Sequence, residues 1–313
     1  MLALAALSLA VLPLTVLSSC AAPRVQEPAP QLPPLRSELE ALAAKVRGAV
    51  GIYVKHLRTG EEIAIRADEL FPTASLVKVP ILLGLFEKLE QGELRWDQKL
   101  RYTNERAYPG EDLVESLRDG EEVSLAKLVT LMIAFSDNTA SLWLQELAGT
   151  GKAINAYLAA RGFEQTRVNS RTEGRAEAQK SWGWGQTTPR EMAELLRRIH
   201  ASELHSRAAC TAMLRALARS VWDGEALSQL PPHVVAFTKQ GAVNRSRSEL
   251  VLVEGRNGPF VFCVITKNQE DQSWTRANEG YVLLRAVTRL LYERYEPQDA
   301  WRPAEGHERY EGS

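Results

Sequence analysis

Ser75 and Lys78 stand three residues apart in SLVK (75–78), at the head of the apolar run VPILLGLF. At that spacing the two side chains share one face of a helix. A lysine facing an apolar surface is costly unless its pKa falls or a partner is close. The serine hydroxyl one turn back is the nearest candidate, which makes a nucleophile and its base the chemical reading. The plainer reading is a solvated helix start. Two further short stretches could join them: SDN (136–138) after LMIAF, and KQG (239–241). A bare Ser-x-x-Lys arises by chance roughly once in a chain of this length, and Ser-Asp-Asn about once in twenty such chains, at average residue usage. Ser136 or Asp137 would also serve as N-cap of the helix NTASLWLQELA, and capping is compatible with catalysis.

The elements that would position these residues follow from periodicity. SELEALAAKVRGA (37–49) carries a Ser N-cap with Glu three residues later and reads as a helix. VGIYVKHL and EEIAIRAD alternate as two strands about the turn RTG. Residues 75 to 220 are mostly helical, with LAKLVTLMIAF and MAELLRRIHA showing the 3.6-residue period. HVVAFTKQG, SELVLVEG and FVFCVITK read as three more strands, and YVLLRAVTRLLYERY as a closing helix. The expected fold is α+β: one five-stranded antiparallel sheet flanked by the terminal helices, with an inserted all-helical lobe. Both lysines would lie near the cleft between the two parts.

The chain has 313 residues, a net charge of -1, 45% hydrophobic and 25% charged residues. That balance gives no electrostatic reason to expect nucleic acid, and no basic stripe supplies one. Three cysteines form no CxxC or Cys/His cluster, so no metal is expected. Cys210 and Cys263 could pair or stay separate. Residues 1–19 read as a signal peptide stopping at Cys20, and LSSC-AA resembles a bacterial lipobox. Cys20 would then carry lipid, and residues 20–36, rich in proline, would tether the domain to a membrane. The expected organisation is therefore leader, tether, a catalytic domain over 37–295 and a loose polar tail over 296–313. The protein would be exported, lipid-anchored in the cell envelope or secreted, and monomeric.

Together the three motifs resemble the class A β-lactamases and penicillin-binding serine hydrolases, whose signature is S-x-x-K, S-D-N and K-T-G. The serines lie 61 residues apart and Ser136 precedes Lys239 by 103, gaps that suit that family. TTPREMAELL (187–196) and AINAYLAARGFEQTRV (153–168) add to the resemblance, which spans about residues 37 to 295. It implies that Ser75 is acylated with Lys78 as base, and that Ser136 relays a proton to the departing ring nitrogen. Asn138 would bind the substrate's side-chain amide, and Lys239 its carboxylate. The backbone N–H groups of Ser75 and Ala242, beside Gly241, would form the oxyanion hole. No cofactor is implied, and the partner would be a β-lactam or peptidoglycan-like small substrate.

Two departures bear on the reaction. Gln240 replaces the family's short hydroxyl and reaches the carboxylate through a longer amide arm. The family's E-x-x-L-N, whose Glu activates the deacylating water, has no counterpart in NSRTEGRAEAQKSWGWGQTTP (169–189). Glu173 is the nearest candidate and Glu177 the next; both also read as solvated loop carboxylates. Arg245 or Arg247 could give a second carboxylate contact; alternation puts only one toward the cleft, and Arg247 is carried as the candidate. Tyr108 is a candidate cleft wall or a packed loop tyrosine, while Trp182 and Trp184 read as loop anchors. Three activities fit: a β-lactamase, a D-alanyl-D-alanine peptidase or related amide or ester hydrolase, and a penicillin-binding sensor that acylates without turnover. β-Lactam hydrolysis leads.

Overall fold

The computed structural model describes residues 33–110 and 112–303. The leader, Cys20 and most of the tether lie outside these residues. The first helix, α1, runs Leu35–Ala43 with Pro34 at its N-cap. It begins three residues earlier than a Ser37 cap suggests, because Pro34 supplies a preset φ ahead of the first turn and Leu35 and Leu39 bury one stripe.

The main sheet has five antiparallel strands: β1 (Ala49–His56), β2 (Glu62–Ile65), β3 (Ala236–Val243), β4 (Ser246–Val253) and β5 (Phe260–Lys267). Their spatial order is β2-β1-β5-β4-β3, so the two central strands, β5 and β4, are almost wholly apolar or buried. Period-two alternation sorts their side chains into two cores. Val251, Val253, Phe260, Phe262 and Val264 meet α1 and the C-terminal helix α9 (Glu279–Tyr295). Leu250, Leu252, Val261, Cys263 and Ile265 face the helical lobe. The expected sheet, its flanking helices and the inserted lobe are all present.

The lobe is built on α2 (Lys78–Glu90), whose first nine residues are all buried. Around it pack α3 (Leu125–Ala134), α4 (Asn138–Leu147), α5 (Thr150–Ala160) and α8 (Arg207–Leu217), and α7 (Pro189–His200) lies against the sheet. Between α5 and α7 a short helix, α6 (Ala176–Trp182), belongs to a long loop. Residues following α9 are less loose than their composition suggests. Glu296 is buried and accepts the Asn257 amide, and Asp299 accepts the Tyr292 hydroxyl at 2.8 Å. Cys210 and Cys263 are buried free thiols.

Candidate active site

Ser75 lies in a short 3₁₀ turn, Ala74–Val77, that runs straight into α2. Ala74 is held at φ 44, a left-handed conformation that is uncommon for a residue with a side chain. This turn is pressed against the edge strand β3. A Cβ on Gly241 would sit 3.0 Å from both the Ser75 amide nitrogen and the Thr73 carbonyl, and 2.7 Å from Ser248 Oγ. Gly241 is therefore required by close backbone approach, and that approach brings the Ser75 amide to the strand carrying Lys239 and Ala242.

Lys78 opens α2 with its side chain fully enclosed. Its Nζ lies 3.0 Å from Ser75 Oγ, 3.0 Å from Ser136 Oγ, 2.8 Å from Asn138 Oδ1 and 2.5 Å from the Ser136 carbonyl. Ser136 reaches this position from the end of α3 through φ 61, and Asn138 is the first residue of α4. From the other side, Lys239 Nζ lies 3.0 Å from Ser136 Oγ and donates to the Gln240 carbonyl at 2.8 Å. One serine hydroxyl thus bridges two buried amines.

Burial pushes the Lys78 amine down to about 7, against the pull of the Asp112 and Asp137 carboxylates. The Lys239 amine is lowered as well, first by burial and then by the positive charge of Lys78, with Glu249 opposing. A lysine that is neutral near pH 7 can take a proton from a serine hydroxyl; an ordinary one cannot.

Not every candidate joins this group. Glu173 pairs with Lys152 at 3.2 Å on the surface, its side chain 82% exposed, and Glu177 pairs with Lys180. The loop bearing them is held by other groups. Gln145 and Ser170 exchange hydrogen bonds in the interior, and Arg175 donates to Asn169 and Gln186. These bonds fix residues 169–170 and turn Glu173 outward. Arg247 is also absent from the site. It is fully buried, stacked between Trp274 and Tyr281, and donates to the carbonyls of Val243, Ser246 and Ser273. Arg245 is exposed at the β3–β4 turn.

Tyr108 stands edge-on to Trp184 with centroids 5.0 Å apart, joining the 104–117 loop to the 169–185 loop. The Trp184 carbonyl takes the amides of Asn169 and Ser170, so Trp184 does anchor its loop. Trp182 lies 5.7 Å from the Lys267 amine. Gln240 and Ala242, both half-buried on β3, flank Gly241.

Three residues near this group escaped the sequence: Asp112, Thr139 and Glu249. Asp112 and Thr139 tie the 104–117 loop to α4. Glu249 lies buried opposite Gln240, accepting from Thr238 and the Ala226 amide. Burial raises its carboxyl to about 8. A buried acid inside the apolar strand SRSELVLV was the one available signal.

The sequence matches the model of the "Beta-lactamase enzyme family" over residues 34–295. The chain belongs to that family. Solved structures agree with the β-lactamase fold. PBP-A superposes with a TM-score of 0.74 at 23% identity, over 84% of this chain and 96% of PBP-A. A β-lactamase from Sphaerobacter thermophilus gives 0.74 at 24% identity, over 84% and 97%. An ancestral class A β-lactamase gives 0.73 at 25% identity, over 83% and 100%. This β-lactamase-family chain is a serine hydrolase of that type, and Ser75, Lys78, Ser136, Asn138 and Lys239 are the polar residues its fold brings together.

Proposed function

We propose that the protein opens the amide bond of a β-lactam by acylation at Ser75. The observation that carries this reading is the buried Lys78 amine, 3.0 Å from Ser75 Oγ and held near 7. Neutral Lys78 accepts the Ser75 proton as Oγ bonds to the lactam carbonyl carbon. The amides of Ser75 and Ala242 take the developing oxyanion. Ser136, touching both amines, returns the proton to the ring nitrogen as the C–N bond breaks. Lys239 and Gln240 hold the substrate carboxylate, and Asn138 its side-chain amide. Water then cleaves the ester, regenerating Ser75. Among the described residues no carboxylate hydrogen-bonds to Ser75 or Lys78, so Lys78 serves as base in this step too.

Because Lys78 acts as the neutral amine, acylation should rise with pH through about 7. Hydrolysis of a chromogenic cephalosporin by the wild type and by Ser75→Ala tests the reading. Loss of turnover in the variant supports it; equal turnover overturns it. The outward position of Glu173 favours a second reading, a D-alanyl peptidase that β-lactams trap, whose sign would be an adduct lasting hours. A related amide or ester hydrolase, or a sensor that acylates without turnover, would use the same site. Export with lipid on Cys20 belongs to the same proposal and rests on the leader pattern. Palmitate labelling lost on Cys20→Ala is its test.

A further inference from the structure

The loop preceding α3 carries a carboxylate on the first turn of α4. Asp112 Oδ1 accepts the Asn138 amide at 3.0 Å, and Oδ2 accepts the Thr139 amide at 2.7 Å and the Thr139 hydroxyl at 2.9 Å. The same hydroxyl accepts the Tyr108 amide at 2.9 Å. Asp137 works in the opposite direction: it caps Ala140 at 2.7 Å and accepts the Val114 amide, two residues past Asp112, at 2.9 Å. The first three amides of α4, which have no partner within their own helix, are thus all taken by two carboxylates. Each carboxylate ties its own segment to the other's. For local capping Asp137 alone would suffice. Asp112 adds a crosslink of three hydrogen bonds between the Tyr108 loop and the first two residues of α4, one to Asn138 and two to Thr139, and Asn138 Oδ1 is bonded to the Lys78 amine at 2.8 Å.

We propose that Asp112 is a positioning residue of this hydrolase, fixing Asn138 and the Tyr108 wall in register and supplying negative charge that balances the buried Lys78 amine. The proposal rests on the acylation reading above. The charged groups that face Lys78 are Asp112 and Asp137, both favouring its protonated form, and Lys239, which opposes it. Removing the charge of Asp112 makes Lys78 more acidic. Removing its geometry loosens Asn138 and Tyr108, which the substrate's side chain would meet. The two effects separate: charge moves the pH profile, and geometry moves KM.

The test combines acylation kinetics with a readout that needs no substrate. Lysine ¹³Cε resonances of the full domain are titrated in the wild type, Asp112→Asn, Asp112→Glu and Thr139→Val, and acylation by benzylpenicillin is followed against pH in each. Asp112→Asn should lower the Lys78 midpoint by about half a pH unit or more, the size expected for losing one nearby opposite charge. The acid limb of acylation should move with it and KM should rise. Asp112→Glu, which keeps the charge on a longer arm, should hold the midpoint and raise KM. Thr139→Val, which removes the hydroxyl's two bonds and no charge, should also hold the midpoint. An unmoved midpoint and unchanged KM in Asp112→Asn overturn the proposal. If Asp112→Asn does not fold, Asp112→Glu decides it: wild-type KM overturns the proposal. An absent acylation with a shifted titration would count against the acylation reading and leave the role of Asp112 standing.

Discussion

Replacing Lys78 with methionine should cost little stability at or below neutral pH and progressively more as pH rises, while removing the protein's power to acylate. The lysine is fully enclosed, and burial holds its amine at about 7 rather than the ordinary 10.5. The unfolded chain therefore binds a proton at neutral pH that the folded chain only half accepts. At about 1.4 kcal/mol per pH unit, that difference costs the folded state on the order of 4 kcal/mol at pH 7. For a base whose folded pKa is lowered, the penalty is complete below about pH 7 and fades as pH rises toward 10.5. Methionine matches the length of the lysine stem and removes the penalty, but it also deletes four hydrogen bonds, to Ser75 Oγ, Ser136 Oγ, the Ser136 carbonyl and Asn138 Oδ1, worth about 1 kcal/mol each. The two roughly cancel near neutrality, and the balance moves against the variant by about 3 kcal/mol between pH 6 and pH 9.5 as the penalty fades, or roughly 6 to 12 °C in Tm for a domain of this size. Thermal unfolding followed by circular dichroism at pH 6, 7 and 9.5 reads the effect, with acylation measured on the same samples. The variant's stability relative to the wild type should fall as pH rises, and acylation should fall about 100-fold or more at every pH. A stability difference that does not depend on pH would refute the assignment of Lys78 as a desolvated base.

Gly241→Ala should lower acylation by about tenfold or more, since its methyl group meets the Ser75 amide and Thr73 carbonyl, backbone atoms that cannot rotate away; single-turnover kinetics with benzylpenicillin read this, and wild-type rates would contradict it. Glu249→Gln should stabilise the protein above about pH 8. The folded-state carboxyl is raised from 4.5 to about 8, so the wild type loses stability as pH climbs through that interval, and the amide does not. Urea unfolding at pH 5 and pH 8.5 checks the sign: the variant's advantage must be larger at the higher pH. Glu173→Gln should leave the lifetime of the acyl-enzyme unchanged, because its carboxylate is paired with Lys152 at the surface; intact-mass decay after a penicillin pulse would expose any role.

The five-stranded sheet was legible because its strands alternate or, in the central strand β5, run apolar on both faces. Ser75, Lys78, Ser136, Asn138 and Lys239 could be picked out because each belongs to a short motif whose spacing carries a chemical reason. Asp112 could not. Its partners Asn138 and Thr139 lie 26 and 27 residues away, and an aspartate in a polar loop has no local pattern that distinguishes capping another element from solvation. Arg247 failed for a related reason. Alternation says which face of β4 a side chain takes, but the enclosing rings of Trp274 and Tyr281 come from residues well beyond the strand. Glu173 shows how little a nearby sequence position guarantees. The Gln145–Ser170 exchange fixes the loop a few residues earlier and leaves that carboxylate in water.

The central claim is that Ser75 is the acylated atom's owner, with Lys78 as its base. Benzylpenicillin mixed with the purified domain, quenched over a series of times and digested for peptide mass mapping, tests it most directly. One adduct per chain is expected, confined to the peptide bearing Ser75, forming faster as pH rises through about 7 and absent in Ser75→Ala. An adduct on another residue, or undiminished labelling of Ser75→Ala, would contradict it.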